Sequence, residues 1–188
     1  MARWTGTALL CVTLLQGLRM TTTLPNGAPL SACEDMMPQH SGVMPQPGPA
    51  PYTIQVSNSS YETGVPVTVR ILGPVYRGLL LKAVVPGTTS ALGSWQDPPE
   101  NTKFLQCSGN RQGAITHANI NPKNNETVYE WIPPSSKSSI QFIATVAENR
   151  QLYWLNVKSE MLTGSVAATG AGLLVHMSSL LLALLYSR

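Results

Sequence analysis

Apolar residues recur at every second position in two stretches of the chain, 65–71 and 140–146. Val and Ile occupy the odd positions of the first stretch, and Ile, Phe, Ala and Val occupy the even positions of the second. Because successive side chains of a strand point to opposite faces, this period is typical of β-strands with one buried face. Such strands must pair into sheets, and each sheet needs a cover for its apolar face.

Five more segments in the middle of the chain are strand candidates. They are residues 52–57, 79–85, 114–118, 128–132 and 152–157. Clusters of Pro, Gly and Asn separate the candidates, as expected of turns. No stretch of the middle keeps a helical period beyond a couple of turns. Seven or eight short strands at this spacing predict an all-β fold, an antiparallel β-sandwich.

The first twenty residues, 1–20, are predicted to be a signal peptide. Arg3 supplies a positive start, and a short apolar run follows over residues 7–18. This run has the length of a signal-peptide core and is too short to cross a bilayer. Cleavage is placed only within residues 17–23, because no A-x-A pattern is present. The alternative is a buried N-terminal helix.

Residues 164–188 form a second apolar segment. Residues 166–186 carry no charged side chain. Small residues before a terminal apolar tail are typical of a glycosylphosphatidylinositol (GPI) signal, with Gly164 and Ser165 as candidate attachment residues. The alternatives are a single transmembrane helix of about 20 residues, for which the basic stop segment is thin, and a merely buried helix. We expect an extracellular protein, either on the outer leaflet of the plasma membrane or secreted.

The net charge of the chain arises at its ends. The chain has 12 Lys+Arg and 9 Asp+Glu, a formal net charge of +3. Arg3, Arg19 and Arg188 lie in the terminal segments, which leaves nine basic and nine acidic residues in 24–163. A neutral domain without a dense basic run is not expected to bind nucleic acid.

The cysteine count predicts one disulfide. Cys11 lies in the predicted signal peptide, so Cys33 and Cys107 remain. In an oxidising compartment an even pair is most simply bonded. Closing a loop of about 75 residues contributes roughly 4 kcal/mol in the chain-entropy model. The alternative is a pair of buried free thiols.

Two N-x-[ST] sequons lie in predicted turns. They begin at Asn58 and Asn125. An acceptor asparagine must be exposed, and turn positions meet that requirement. We expect both to carry N-linked glycans.

No pattern typical of catalysis is present in the sequence. It lacks a G-x-S-x-G elbow, a P-loop and a dinucleotide fingerprint. His40 and His117 occur singly, and Asp35 lies near His40 without zinc-ligand spacing. We therefore expect no enzyme, no metal and no cofactor, and we interpret both histidines as structural or surface residues.

Basic side chains are the candidates for contacts with a ligand. They are spread singly along the predicted strands and turns, so any patch must be assembled by the fold. We select Arg70, Arg77 and Lys82 as candidate ligand contacts. The other basic candidates are Lys103, Arg111, Lys123, Lys137, Arg150 and Lys158. The alternative is that these residues form the solvated faces of a sandwich.

A series of landmarks resembles the reeler (reelin N-terminal) domain family. Residues 26–40 (NGAPLSACEDMMPQH) resemble the opening of that domain, and residues 76–83 (YRGLLLKA) resemble its Arg-Gly approach to a strand. Cys107 stands where the second cysteine of the family falls. The other landmarks are residues 51–54, 114–117, 128–134, 140–146 and 153–154. The resemblance places the domain at residues 26–160.

The resemblance implies an immunoglobulin-like antiparallel β-sandwich that binds rather than catalyses. Reeler domains serve matrix and guidance roles in reelin and F-spondin. They also occur in small insect defence proteins that bind microbial surface material. In ferric-chelate reductases a reeler domain precedes redox domains for which this chain has no room after Val157.

Three functions follow as expectations. The first is innate defence by recognition of microbial surface glycolipid or polysaccharide. The second is a matrix or adhesion module that binds glycosaminoglycan or protein. The third is a shortened relative of the ferric-chelate reductases without redox chemistry.

Overall fold

Residues 24–136 and 138–165 are described by the computed structural model of the chain. The predicted signal peptide, most of the predicted anchor segment and Lys137 lie outside the described residues. The described part holds one short helix, α1 (Ala32–Asp35), and eleven strands. The strands are β1 (Thr53–Val56), β2 (Ser60–Tyr61), β3 (Val67–Leu72), β4 (Gly78–Val84), β5 (Ser94–Trp95), β6 (Thr102–Cys107), β7 (Asn110–His117), β8 (Val128–Ile132), β9 (Gln141–Ala147), β10 (Tyr153–Lys158) and β11 (Thr163–Gly164).

Two antiparallel sheets form a sandwich, which confirms the predicted fold class. One sheet has the order β1-β3-β8-β5, and the other has the order β10-β9-β4-β7-β6. The seven predicted strands correspond to β1, β3, β4, β7, β8, β9 and β10 within four residues at each end. Strand β6 was not predicted, and neither were the short strands β2, β5 and β11. The pair β11–β2 is parallel, an exception to the antiparallel expectation.

The main core lies between the two sheets. Its alternating residues come from both inner faces, for example Val69 and Ile71 of β3 and Ala144 and Val146 of β9, each fully buried. Trp131 at the centre of this core packs edge-on against Phe142 with ring centroids 5.2 Å apart. Edge-to-face pairs of this kind add to the stabilisation from burial.

The outer face of the five-stranded sheet is also covered. The N-terminal segment, residues 24–50, crosses it before β1 begins. Ala32, Cys33 and Met36 of this segment form a second apolar cluster with Leu80 and Leu105 of the sheet, among others. Strand β4 is therefore buried on both faces, which explains its continuous apolar sequence.

A disulfide between Cys33 and Cys107 joins the N-terminal segment to β6. Their Cα atoms are 5.5 Å apart, and 74 positions separate them in sequence. The structure thus shows the bond expected from the cysteine count. Both core clusters and the bond lie within residues 24–165.

Different loops form the two ends of the sandwich. We define the upper end by the loops 73–77, 96–101, 118–127 and 148–152, which meet because Gly78 pairs with Ala147, Leu80 with Thr116 and Thr102 with His117. We define the lower end by the loops 57–66, 85–93 and 108–109. Leu162 pairs with Ile140 at the start of β9, so the chain leaves the domain at the lower end, past residue 160.

Candidate functional site

A cavity of about 300 Å³ opens between the N-terminal segment and the outer face of the five-stranded sheet. It lies at the upper end. Its floor includes Gly78, Leu80 and Ala147, where β4 starts and β9 ends. Its roof is supplied by the N-terminal segment and is almost wholly apolar. The roof residues are Leu24, Pro25, Gly27, Ala28, Ala32, Met36, Met37 and Pro38.

Gly78 keeps the floor open by its lack of a side chain. A Cβ at this position would lie 3.0 Å from the Cβ of Ala147. The sequence analysis takes Arg77-Gly78 to resemble a family approach to a strand. Glycine is needed at position 78 because the two strands approach each other closely. It is not needed for an unusual backbone conformation, since Gly78 does not have a positive φ.

Lys82, Thr145 and Thr116 each make a polar contact that holds the roof against the sheet, and Lys82 also bonds to the 85–93 loop. Lys82 Nζ donates to the carbonyl oxygens of Cys33 and Thr89. Thr145 Oγ1 donates to Met36 O at 2.6 Å. The backbone N–H of Ala28 donates to Thr116 Oγ1 at 2.9 Å. Together with the disulfide, these contacts fix the distance between roof and floor.

Lys82 is not a surface cation, so its assignment as a ligand contact is corrected. Its side chain is fully buried, because the N-terminal segment covers the outer face of β4. Burial lowers the pKa of Lys82. Its ammonium group is satisfied by two carbonyl oxygens, and it therefore serves the attachment of the roof.

Arg77 lies at the mouth of the cavity, as does Arg150. Arg77 is exposed and donates from Nη1 to Ile120 O at 3.0 Å. Arg150 is half-buried, and its Nε has no hydrogen-bond partner among the described residues. No Asp or Glu lines the cavity within residues 24–136 and 138–165. The mouth is therefore suited to an anionic group at the head of an apolar ligand.

Lys123 supports this mouth from below. It is buried, and its Nζ donates to Arg77 O at 2.9 Å, Asn121 O at 2.9 Å and Asn119 O at 3.3 Å. Burial, followed by the charge of Arg77, lowers the pKa of Lys123 to about 8. The ammonium form still predominates at pH 7, and its three bonds attach the 118–127 loop to Arg77.

Both histidines line the cavity. His117 Nε2 lies 3.1 Å from Leu24 O, and the backbone N–H of Leu79 lies 3.3 Å from Nδ1. The tautomer with hydrogen on Nε2 satisfies both contacts. Burial lowers the pKa of His117 and of His40, so both are neutral at pH 7. His117 has the structural contacts that the sequence analysis expects.

The other predicted residues lie away from the cavity. Arg70 is exposed on β3 of the four-stranded sheet, opposite Gln55. The structure therefore does not bring Arg70, Arg77 and Lys82 into one site. Asn58 and Asn125 are both exposed, as glycan acceptors must be, and Asn125 Oδ1 accepts from Gly73 N at 3.0 Å. Glycosylation itself stays a prediction.

The candidate GPI attachment residues belong to the folded domain. Gly164 is in β11 opposite Tyr61. Ser165 N donates to Tyr61 O at 2.8 Å. The apolar segment that follows lies outside the described residues. Within 24–136 and 138–165, the chain has no helix with the length and apolar character needed to cross a bilayer.

Sequence reasoning missed most of the cavity. Arg150 was one of several basic residues considered singly, and residues 26–40 resembled a family landmark. Neither signal indicated a cavity, because the roof forms only when the N-terminal segment folds over β4. No set of three or more His, Cys, Asp or Glu side chains is placed to hold a metal within the described residues.

Sequence and structure comparisons agree on one family. The chain matches the Reeler domain family over residues 31–169. It is 37% identical over 143 residues to "Putative defense protein Hdd11" of Hyphantria cunea, a match that covers 71% of this chain and 84% of that protein. It is 30% identical over 145 residues to ferric-chelate reductase 1 of Mus musculus, covering 76% of this chain but 24% of the reductase. The reductase is thus matched over about a quarter of its length.

The fold matches a solved reeler domain. The human F-spondin reeler domain, crystallised as a fragment, aligns with a TM-score of 0.53 at 16% identity, covering 67% of this chain and 96% of the fragment. That fragment shows that a domain of this fold forms without further domains. The profile match, the defence-protein relative and the shared fold together place the chain in the reeler domain family.

Proposed function

We propose that this protein is a non-catalytic, extracellular defence protein that binds microbial surface glycolipid by taking one acyl chain into the cavity. The observation that carries the proposal is an apolar cavity of about 300 Å³ in which Arg77 and Arg150 are the only charged residues among the described residues that line it. An acyl chain matches the roof and floor. A phosphate or carboxylate near the start of the chain matches the two guanidinium groups.

The size of the cavity favours a single chain. At the roughly 30 Å³ that one water molecule occupies in the liquid, 300 Å³ holds about ten groups of that size. One medium-length acyl chain fits, whereas a polysaccharide without lipid would leave the apolar lining unmatched. This supports glycolipid over polysaccharide as the microbial ligand.

The relatives support a defence role and no redox chemistry. The defence-protein relative matches over 84% of its own length. The ferric-chelate reductase matches only within a quarter of its length, so the match does not extend to most of that protein. We propose that the C-terminal apolar segment is a signal that is removed when a GPI anchor is attached, and that this anchor holds the domain at the cell surface. Release of the protein from cells by a phosphatidylinositol-specific phospholipase would test this.

Fluorescence titration with a dansylated C11 fatty acid, below its micellar concentration, tests the binding site. Ala28→Leu narrows the cavity from the roof. Ala91→Leu is the matched control, because Ala91 is also half-buried against the second apolar cluster but does not line the cavity. We expect saturable binding that purified lipopolysaccharide displaces, and a loss of at least about tenfold only in Ala28→Leu.

The salt dependence of binding distinguishes this function from glycosaminoglycan binding. Binding carried by an acyl chain persists at 1 M NaCl, because apolar burial is not screened. Binding to heparin alone, lost steeply with salt, together with no binding of the fatty acid, would overturn the proposal in favour of a matrix module.

A further inference from the structure

The roof of the cavity is U-shaped, and its first arm lies over β7. At the upper end, Leu24 O lies 3.1 Å from His117 Nε2. Further along this arm, the backbone N–H of Ala28 donates to Thr116 Oγ1 at 2.9 Å. Thr116 pairs with Leu80 of the neighbouring strand β4, so the first arm runs from the upper end toward the middle of the sheet.

Helix α1 forms the bend of the U and closes the cavity. At this bend the ammonium group of Lys82 in β4 donates to Cys33 O, and the Cys33 sulfur is bonded to that of Cys107 in β6. Cys33 also packs with Leu80 and Leu105 in the second apolar cluster. The bend therefore lies directly against the sheet.

The second arm returns to the upper end over β9 and β10. Thr145 Oγ1 of β9 donates to Met36 O at 2.6 Å. The His40 ring then packs edge-on against Tyr153 of β10, with the ring centroids 5.5 Å apart. Tyr153 pairs with Ala147 at the upper end, so both arms of the U end there. The cavity thus opens at the upper end and is closed at α1.

The strand register gives the depth of the cavity. The pairs Gly78–Ala147 and Leu80–Thr145 both line it. The next outward residue of β4, Lys82, does not line it, because the bend of the roof lies on Lys82. The four positions from Gly78 to Lys82 span about 13 Å of strand. An extended hydrocarbon advances about 1.3 Å per carbon, so about ten carbons fit between the mouth and the closed end.

We propose that the closed end limits the acyl chain to about ten carbons, with the terminal methyl group against Leu80 and Ala32 and the anionic head at Arg77 and Arg150. Leu80 and Ala32 both line the cavity and are buried. This inference rests on the proposed acyl-chain function, and it names the ligand class as medium-chain acyl groups. A longer chain gains nothing from its additional carbons, because they stay in water or draw the head away from the two arginines.

Calorimetric titration with saturated fatty acids, each kept below its micellar concentration, tests this limit. The series is octanoic, decanoic, dodecanoic and tetradecanoic acid. We expect the affinity to rise about fourfold for each methylene group up to decanoic acid, the gain from burying one CH₂, and to rise no further beyond it. A continued rise through tetradecanoic acid would overturn the limit, whereas no binding of any acid would overturn the acyl-chain function itself.

Two truncations test which residue forms the closed end. Leu80→Ala removes a side chain at that end and deepens the cavity. Leu105→Ala is the matched control, because Leu105 belongs to the same apolar cluster but does not line the cavity. The readout is the ratio of the dissociation constants for decanoic and dodecanoic acid within each variant, so a general loss of affinity cancels. We expect equal constants for wild type and the control, and a preference of roughly tenfold for dodecanoic acid in Leu80→Ala.

Ala32→Leu gives a test that does not depend on the folding of Leu80→Ala, because it moves the closed end toward the mouth. We expect this variant to bind octanoic and decanoic acid equally, whereas wild type prefers decanoic acid by roughly tenfold. Chain-length preferences that match wild type in both variants, or that shift equally in Leu105→Ala, would overturn the assignment of the closed end.

Discussion

The ammonium of Lys82 donates to the carbonyl oxygen of Cys33, the residue whose sulfur is bonded to Cys107. The covalent bond and the buried hydrogen bond therefore hold the same point of the N-terminal segment. That point lies next to Ala32, which lines the cavity. The roof of the proposed binding site is thus attached to the sheet by two independent links.

Removing the lysine should destabilise the domain. Lys82→Ala leaves the carbonyl groups of Cys33 and Thr89 without their donor and opens a void beneath the helix. We expect a loss of about 2 kcal/mol or more in the free energy of unfolding by urea. Lys158→Ala, at an exposed strand position, is the control and should stay within about 0.5 kcal/mol. Similar losses in both variants would contradict the structural role of Lys82.

Breaking the disulfide should affect stability and ligand binding together. For a loop defined by a separation of 74 residues, the double variant Cys33→Ser, Cys107→Ser should lose about 2–4 kcal/mol of stability. Because the roof is then held only by hydrogen bonds, the affinity for the dansylated fatty acid should also fall, measured well below the melting temperature. An unchanged affinity in the folded variant would mean that the bond does not maintain the cavity.

Acid should destabilise the domain through its two half-buried histidines, His40 and His117. The folded pKa of His117 lies below the ordinary 6.5, because burial disfavours the charged form. Below pH 6.5 the unfolded chain binds more protons than the folded one, so stability is retained above this pH and falls on acidification. We expect His117→Gln to show a shallower loss of melting temperature than wild type between pH 7 and pH 5.

His40 cannot serve as a control with an unshifted pKa, because burial lowers the pKa of His40 as well. His40→Asn should therefore reduce the acid sensitivity in the same direction. If the melting temperature of wild type and of both variants depended on pH in the same way, neither histidine would contribute to the loss of stability in acid.

Removing the two arginines at the mouth of the cavity should lower the affinity for anionic ligands and leave the affinity for uncharged ligands nearly unchanged. Arg77→Met with Arg150→Met removes both charged lining residues. We expect the affinity for the dansylated fatty acid to fall by roughly tenfold, and the affinity for the corresponding uncharged methyl ester to change little. Arg70→Met with Arg111→Met, both exposed away from the cavity, is the control. Equal losses for acid and ester would indicate a damaged cavity instead of a lost charge contact.

The alternation in 65–71 and 140–146 was enough to predict a sandwich, because the period of two is a property of the strand itself. The strands found there, β3 and β9, bury their expected inner residues, but Val65 lies before β3 and is 50% exposed. The pair Cys33–Cys107 was also predictable, since two cysteines outside the predicted signal peptide are most simply bonded to each other.

Burial on the outer face of β9 could not be predicted from the local sequence pattern. Thr145 was expected among the outward, polar positions, yet it is buried and donates to Met36 O. The reason is a segment more than 100 residues earlier in the chain, which no periodicity within β9 can report. The same cover buries Lys82, which the sequence presented as a surface cation.

The sequence by itself determined the class of fold, the covalent link and the family of this protein, because each follows from residue order and type. Only the tertiary structure decided that a binding cavity exists, since its roof, floor and mouth come from segments far apart in the chain. Arg77 and Arg150 are 73 positions apart and meet only because β4 starts where β9 ends. The cavity depends on where the N-terminal segment packs, and that is a property of the folded sheet.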